Sequence, residues 1–309
     1  MGSWKKWVAI PAVLAGIVVI AACGSSGSSS TTSATATSAN TATTGSSTAV
    51  ASVVKLVPAP IKSKGTLTVA ADASYAPDEY FGPDGHTVIG MDPDLVKALA
   101  AVMGMKANVV NATFDSIIPG LAAGKYDMGA SSFTDTKERE KTVDFVDYAN
   151  VGESFYTKTS GGTSISTIAD ICGKSVAVEK GTTEQTDAQT QSTKCTKAGK
   201  PAVKLLVFPD QNGANLAVSS GRAQLGFADQ PVAAYQVKKT GGQFKLVGAA
   251  FATAPYGLAI PKNTHLAPAV LAALKEIMSN GTYSSILNHW GLQQVAISPS
   301  AVKIDGATS

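Results

Sequence analysis

From Gly65 onward the chain alternates short apolar runs with stretches in which apolar residues recur every three or four positions. Thr66–Ala71 reads as a strand. A helix is expected to open at Asp92-Pro93-Asp94-Leu95, with Asp92 as N-cap and Pro93 in the first turn. Leu95, Leu99 and Val102 share one face of it, and Gly104 ends it. Residues 107–110 predict a second strand, 114–123 a short helix and 126–131 a third strand. The rhythm restarts after about residue 158. Strands are expected at 174–179, 203–208, 224–228, 244–247 and 256–260, and helices at 267–280 and 282–290. Thr182-Thr-Glu-Gln185 has capping-box spacing at a further helix start. Strands alternating with helices imply a parallel sheet covered by helices, and no solenoid-length repeat interrupts the pattern. Two α/β lobes with a cleft between them follow as the expected architecture.

The residues before this pattern differ in kind. A short basic start, Met1–Lys6, precedes an uncharged, mostly apolar run, Val8–Ala22. At about 15 residues the run falls short of the ~20 that a spanning helix needs. It ends Ile20-Ala21-Ala22-Cys23-Gly24, which resembles a bacterial lipobox, with Cys23 as the future acylated N-terminus. The alternative is an ordinary signal peptide with an incidental cysteine. Myristoylation at Gly2 is disfavoured because Lys6 stands where that motif takes Ser or Thr. Gly24–Val54 carries no charge and is dominated by Ser, Thr, Ala and Gly, a composition that cannot bury enough apolar surface to fold. Residues 1–22 are therefore expected to be a lipoprotein signal peptide and 23–63 an acylated, disordered tether. About 30 flexible residues reach roughly 30 Å on average. The implied location is the extracytoplasmic face of a bacterial cell membrane, held by lipid.

Composition changes this picture little. Of 309 residues, 44% are hydrophobic and 15% charged, enough apolar content for a sizeable core. The net charge of +3 falls to about +1 once Lys5 and Lys6 leave with the leader, which disfavours nucleic acid as a partner. Three histidines, at 86, 265 and 289, and three cysteines, at 23, 172 and 195, show no metal-ligand spacing. No metal and no cofactor is expected.

Six blocks then occur in order. They are Gly90-Met-Asp-Pro-Asp-Leu95; Phe114-Asp-Ser-Ile-Ile-Pro-Gly-Leu121 with Gly124-Lys-Tyr-Asp127; and Ser131-Ser-Phe-Thr-Asp-Thr136-Lys-Glu-Arg139 with Val143-Asp-Phe145. Gly173-Lys174 through Gly181-Thr-Thr183, then Gly221-Arg222 with Asp229, and Gly281-Thr-Tyr283 with Trp290-Gly291, complete the set. Over roughly residues 64–292 the chain resembles the polar amino-acid family of substrate-binding proteins of ABC transporters. Met91 replaces the usual aromatic residue. The resemblance implies a two-lobed periplasmic-binding-protein fold of type II, with lobe 1 at 64–151 and 254–292, lobe 2 at 154–250, and a C-terminal tail at 293–309. The hinge of two crossovers is expected near Val151–Glu153 and Ala250–Ala254. It also implies a monomer that captures a free amino acid and delivers it to a permease with its cytoplasmic ATPase.

A free amino acid carries a carboxylate and an ammonium on one carbon, so its site needs a bidentate cation and an anion. The chain has only two arginines, Arg139 and Arg222, against 23 lysines. The resemblance gives the α-carboxylate to Arg139 and leaves Arg222 in a structural turn. Thr183, at a strand-to-helix turn whose free N–H groups suit an anion, is assigned to the same carboxylate. Asp229 receives the α-ammonium. Thr134, with backbone or hydroxyl groups of Ser131 and Ser132, completes these contacts, and Tyr75 and Phe114 match the aromatic pair that sandwiches the ligand. Asp72 and Glu179 align with positions facing the ligand's side-chain end, where two acids favour a basic or amide side chain. Asp78 stands where relatives often carry an apolar or aromatic residue. Cys172 and Cys195 are expected to pair, although the relatives do not all carry them. Two other classes remain: an enzyme of the same fold, such as a cyclohexadienyl-dehydratase-like lyase with Glu179 as its acid, and an amino-acid sensor.

Overall fold

The computed structural model describes residues 49–308. The signal peptide, Cys23 and most of the tether lie outside these residues. Eleven strands are formed among them: β1 (Thr66–Ala71), β2 (Ser74–Tyr75), β3 (Glu79–Phe81), β4 (Val88–Ile89), β5 (Lys106–Asn111), β6 (Met128–Gly129), β7 (Val143–Lys158), β8 (Ser175–Glu179), β9 (Lys204–Phe208), β10 (Leu225–Asp229) and β11 (Phe244–Pro261). The α-helices are α1 (Ala51–Val54), α2 (Ala59–Lys62), α3 (Met91–Val102), α4 (Phe114–Ala122), α5 (Thr183–Lys197), α6 (Gln211–Ser219), α7 (Gln230–Lys239), α8 (Ala267–Ser279) and α9 (Thr282–Trp290). None is long and apolar enough to cross a membrane.

The main sheet runs β5-β1-β6-β11-β7-β10-β8-β9, and β2-β3-β4 form a small second sheet. At one end β5, β1 and β6 are parallel; at the other β10, β8 and β9 are parallel. The antiparallel pair β7 and β11 joins the two ends. At about 3.3 Å per residue, a strand of β7's length spans roughly 50 Å, enough to serve both lobes. Each lobe buries its own apolar cluster: Leu95, Leu99, Leu258 and Leu274 belong to one, and Ile171, Val178, Leu225 and Phe227 to the other.

The two crossovers are the middles of β7 and β11. Their register shifts between Val247 and Phe251 and again between Phe251 and Ala254. Ala252 there adopts φ 50°. A Cβ on Gly152 would stand 3.0 Å from the Phe251 carbonyl oxygen, so the crossing strands approach where a side chain is missing. The residues expected at 244–247 and 256–260 thus belong to one bent strand, and the long strand β7 was not foreseen.

Two further expectations change. Gly90, not Asp92, caps α3, at φ 138°, and Asp92 sits in the first turn with its side chain fully buried. A side chain at 90 would collide with the Asp78 carbonyl. The end of the segment assigned to the tether is folded: α1, α2 and the turn between them place Val53, Ile61 and Val57 in the core of the first lobe. Their apolar spacing was masked by the bland composition upstream. At the other end of the chain, Val295 and Val302 are also buried in that core.

Candidate ligand cleft

The C-terminal ends of β1, β8 and β10 and the first turns of α4 and α5 converge between the lobes. They enclose a narrow cavity lined by Asp72, Tyr75, Phe114, Ser131, Ser132, Thr134, Arg139, Glu179, Thr183 and Asp229, together with Thr182 and Glu184. The structure thus brings together all ten residues singled out for ligand contact or side-chain selectivity.

Arg139 begins a 3₁₀ turn and reaches across the cleft mouth. Its Nη1 donates to the Thr134 carbonyl at 2.7 Å and its Nη2 to the Gly181 carbonyl, in the other lobe, at 3.0 Å. The guanidinium lies 5.3 Å from the Phe114 ring centre and 5.6 Å from that of Phe133, and these two rings stack at 4.6 Å. Two of five N–H donors are committed, which leaves the remainder of the fork for a carboxylate. Burial pulls the Arg139 pKa down from its ordinary value, while Glu184 and Asp229 push it back up. Beside it, Thr183 opens α5, with its hydroxyl 3.4 Å from that of Thr134. Thr182 caps this helix by accepting from the Gln185 N–H at 3.2 Å. The Gln185 side chain reaches back to the Gly181 N–H at 2.7 Å, one residue earlier than a capping box would.

Asp229 ends β10 and occupies the N-cap position of α7 without a side-chain cap bond. Its carboxylate instead accepts from the Tyr75 hydroxyl at 2.9 Å, and that hydroxyl accepts from the Asp229 N–H at 3.0 Å. This links the lobes across the cleft. Burial raises the Asp229 pKa to about 6, against the opposing influence of Tyr256, Tyr75 and Arg139. Glu184, next to Thr183, is also buried, and its Oε1 has no hydrogen-bond partner. Burial and then Asp229 push its pKa well up. Sequence reasoning missed this second acid; its one signal was a charge directly after Thr183 in a first helical turn.

A second acid pair occupies another part of the cavity wall. Asp72 accepts from the Ser74 N–H at 3.1 Å and the Phe114 N–H at 2.9 Å. Burial nonetheless raises its pKa. Glu179 is 2% exposed, its Oε1 is unpartnered, and burial followed by Asp72 and Glu184 drives its pKa well up. Both acids therefore face inward, and Glu179 does not point to solvent.

Ser131 and Ser132 line the cavity with hydroxyls already committed. Ser131 Oγ donates to Glu79 at 3.0 Å and accepts from the Asp72 N–H at 2.9 Å. Ser132, at φ 49°, donates through Oγ to Asp78 at 3.1 Å and through its N–H to Asp92 at 2.9 Å. Asp78, Glu79 and Asp92 form a fully buried carboxyl layer under this loop, with Tyr148 donating to Asp92 at 2.7 Å. Asp78 thus supports the loop from below. Arg222 packs 5.3 Å from the Phe208 ring centre and does not line the cavity. Cys172 and Cys195 are disulfide-bonded, Cα–Cα 5.6 Å, and fasten the end of α5 to the loop before β8. Among the described residues no group of three His, Cys, Asp or Glu side chains has metal-binding geometry.

Known proteins resemble this chain in sequence and fold. The arginine-binding protein ArgT of Corynebacterium glutamicum is 34% identical over 246 residues, 79% of this chain and 80% of that protein. A solved ancestral arginine-binding protein bound to arginine superposes with a TM-score of 0.67 at 35% identity, covering 73% of this chain and 98% of that one. An ancestral amino acid-binding protein described as a precursor of cyclohexadienyl dehydratase matches equally, with a TM-score of 0.67 and 35% identity over 75% of this chain and 97% of that one. Residues 67–293 match the family model of the bacterial extracellular solute-binding proteins, family 3, and the chain belongs to that family.

Proposed function

We propose that the protein is an extracytoplasmic receptor for a basic amino acid, with arginine as the preferred ligand, and that it hands this ligand to an ABC importer. The observation that carries this reading is the presence of two acid pairs in one cavity with a single guanidinium. Asp229 and Glu184 stand with Arg139, while Asp72 and Glu179 stand together. Zwitterionic arginine presents a carboxylate, an ammonium and a guanidinium, one group for each. Arg139 and Thr183 take the carboxylate, Asp229 with Glu184 takes the ammonium, and Asp72 with Glu179 takes the side-chain cation. Phe114 and Tyr75 flank the aliphatic stem. Buried carboxyls without counter-charge are costly, and a ligand with two cationic groups relieves both pairs.

The relatives named for arginine support the same choice. Closure brings Tyr75 to Asp229 and Arg139 to Gly181, and the closed form is the one an importer distinguishes. The lipobox at Cys23 and the uncharged segment after it support anchoring outside the membrane, with the permease and ATPase as separate chains. The resemblance to a dehydratase precursor keeps an enzyme in view, with Glu179 as acid. Four cavity carboxyls would repel an anionic dicarboxylate substrate, which favours binding without turnover.

A thermal-shift screen of the twenty amino acids and prephenate tests this. At a hundredfold excess over Kd a ligand stabilises by about 2.7 kcal/mol. Arginine is expected to give the largest shift, with glutamate and aspartate giving none. A shift with prephenate and none with any amino acid would defeat the reading.

A further inference from the structure

Residues 136–142, the turn that presents Arg139, make only internal backbone hydrogen bonds: Glu140 to Thr136, Lys141 to Glu138 and Thr142 to Arg139. The near side of the loop is fixed to β11, through Asp135 N–H to Pro255 at 2.8 Å. The far side runs into β7 at Val143, and both sides are also held by a segment close to the C-terminus. The Ala307 N–H lies between two carboxylates of this loop, 3.0 Å from Asp135 Oδ2 and 3.2 Å from Glu140 Oε1. That segment is itself fastened to β7: Asp305 Oδ1 accepts from the Phe145 N–H at 2.8 Å, the Asp305 N–H donates to the Phe145 carbonyl at 3.0 Å, and the Asp147 N–H donates to the Lys303 carbonyl at 3.0 Å. Ala307 is buried, so water does not compete freely for these bonds. Gly306 rests against the Asp147 carboxylate so closely that a Cβ would collide with it.

We propose that Lys303–Ala307 is a strap that positions the Arg139 turn for its ligand, with Asp305 as the anchor and Asp135 and Glu140 as the receiving groups. None of these residues lines the cavity. The strap acts on affinity through Arg139 and leaves selectivity, set by Asp72 and Glu179, untouched. This rests on the reading of Arg139 as the carboxylate ligand.

The test compares Asp305→Ala, Asp305→Asn, Gly306→Ala and Arg139→Ala in the full chain, each first shown to unfold cooperatively. L-arginine and L-citrulline are titrated by calorimetry, and amide hydrogen exchange is followed over residues 135–141. Asp305→Ala and Gly306→Ala are expected to weaken arginine binding about three- to tenfold, the worth of one hydrogen bond in a positioned loop. Exchange at 135–141 should quicken, and the ratio of arginine to citrulline affinity should hold. Asp305→Asn keeps an acceptor for Phe145 N–H and should bind almost as the wild type does. Unchanged exchange in both strap variants, or faster exchange with unchanged affinity, overturns the strap. Unchanged affinity in Arg139→Ala overturns the reading of the cleft itself; a large loss there with none in the strap variants overturns the strap alone.

Discussion

Arg139 is held in place by two carbonyls, Thr134 from its own lobe and Gly181 from the other, the second reached only when the lobes close. Glu179 is the opposite case: a carboxyl that burial and its neighbours hold protonated more readily than usual. A guanidinium arriving beside it favours the ionised form, so arginine binding should release a proton. Calorimetry in buffers of differing ionisation enthalpy reads this directly. Glu179→Gln should remove most of that release and lower arginine affinity by about thirtyfold or more, since removing one partner of a buried charge pair costs about 2–5 kcal/mol. Unaltered affinity would place the guanidinium elsewhere. The residues that line the cavity were legible through the resemblance, and the chemistry of single positions agreed with it: one of two arginines, a threonine at a helix start, an aspartate at a strand end. Glu184 was not, because a charge in a first helical turn is ordinarily solvated. The bonds from the Ser131 and Ser132 hydroxyls to buried carboxyls were not legible, because those carboxyls come from distant segments.

Among the elements, those with local signals were foreseen and those defined by partners were not. The Leu95–Leu99–Val102 stripe marks α3 in isolation. Long β7 alternates poorly because it is buried on both faces and carries buried polar residues, among them Asp147, Glu153, Ser154 and Thr157. The β2-β3-β4 sheet has strands of two or three residues, too short for periodicity. The link between Cys172 and Cys195, 23 positions apart, lies wholly in the second lobe and away from the cavity. A loop of this length is worth about 3 kcal/mol in chain-entropy terms. Reduction should therefore lower the melting temperature while leaving arginine affinity within about twofold of the oxidised protein, as expected of sites that do not touch. A large loss of affinity on reduction would show that α5 needs the link to present Thr183.

For the whole molecule, the buried acids give stability a definite pH sign. Burial raises Asp92, Asp135 and Asp229 to about 6 and Asp147 to about 8, all above the ordinary carboxyl value. The folded chain therefore binds more protons than the unfolded one between about pH 4 and pH 8, and stability falls as pH rises through that window. The acids held low, Asp84 at about 2 among them, act below it. Melting temperatures without ligand should decline from pH 5 to pH 8, and saturating arginine should flatten that decline by supplying counter-charge to the cleft. A melting temperature that climbs over this range would contradict it.

The central claim is that one cleft reads both ends of a basic amino acid. Calorimetric titration with arginine, agmatine and citrulline tests it most directly, because agmatine lacks the α-carboxylate and citrulline lacks the side-chain charge. Arginine should bind at one site per chain, and each analogue at least about a hundredfold more weakly, the loss of one buried charged contact. Agmatine binding as tightly as arginine would remove Arg139 from the ligand, and citrulline doing so would remove the Asp72–Glu179 pair.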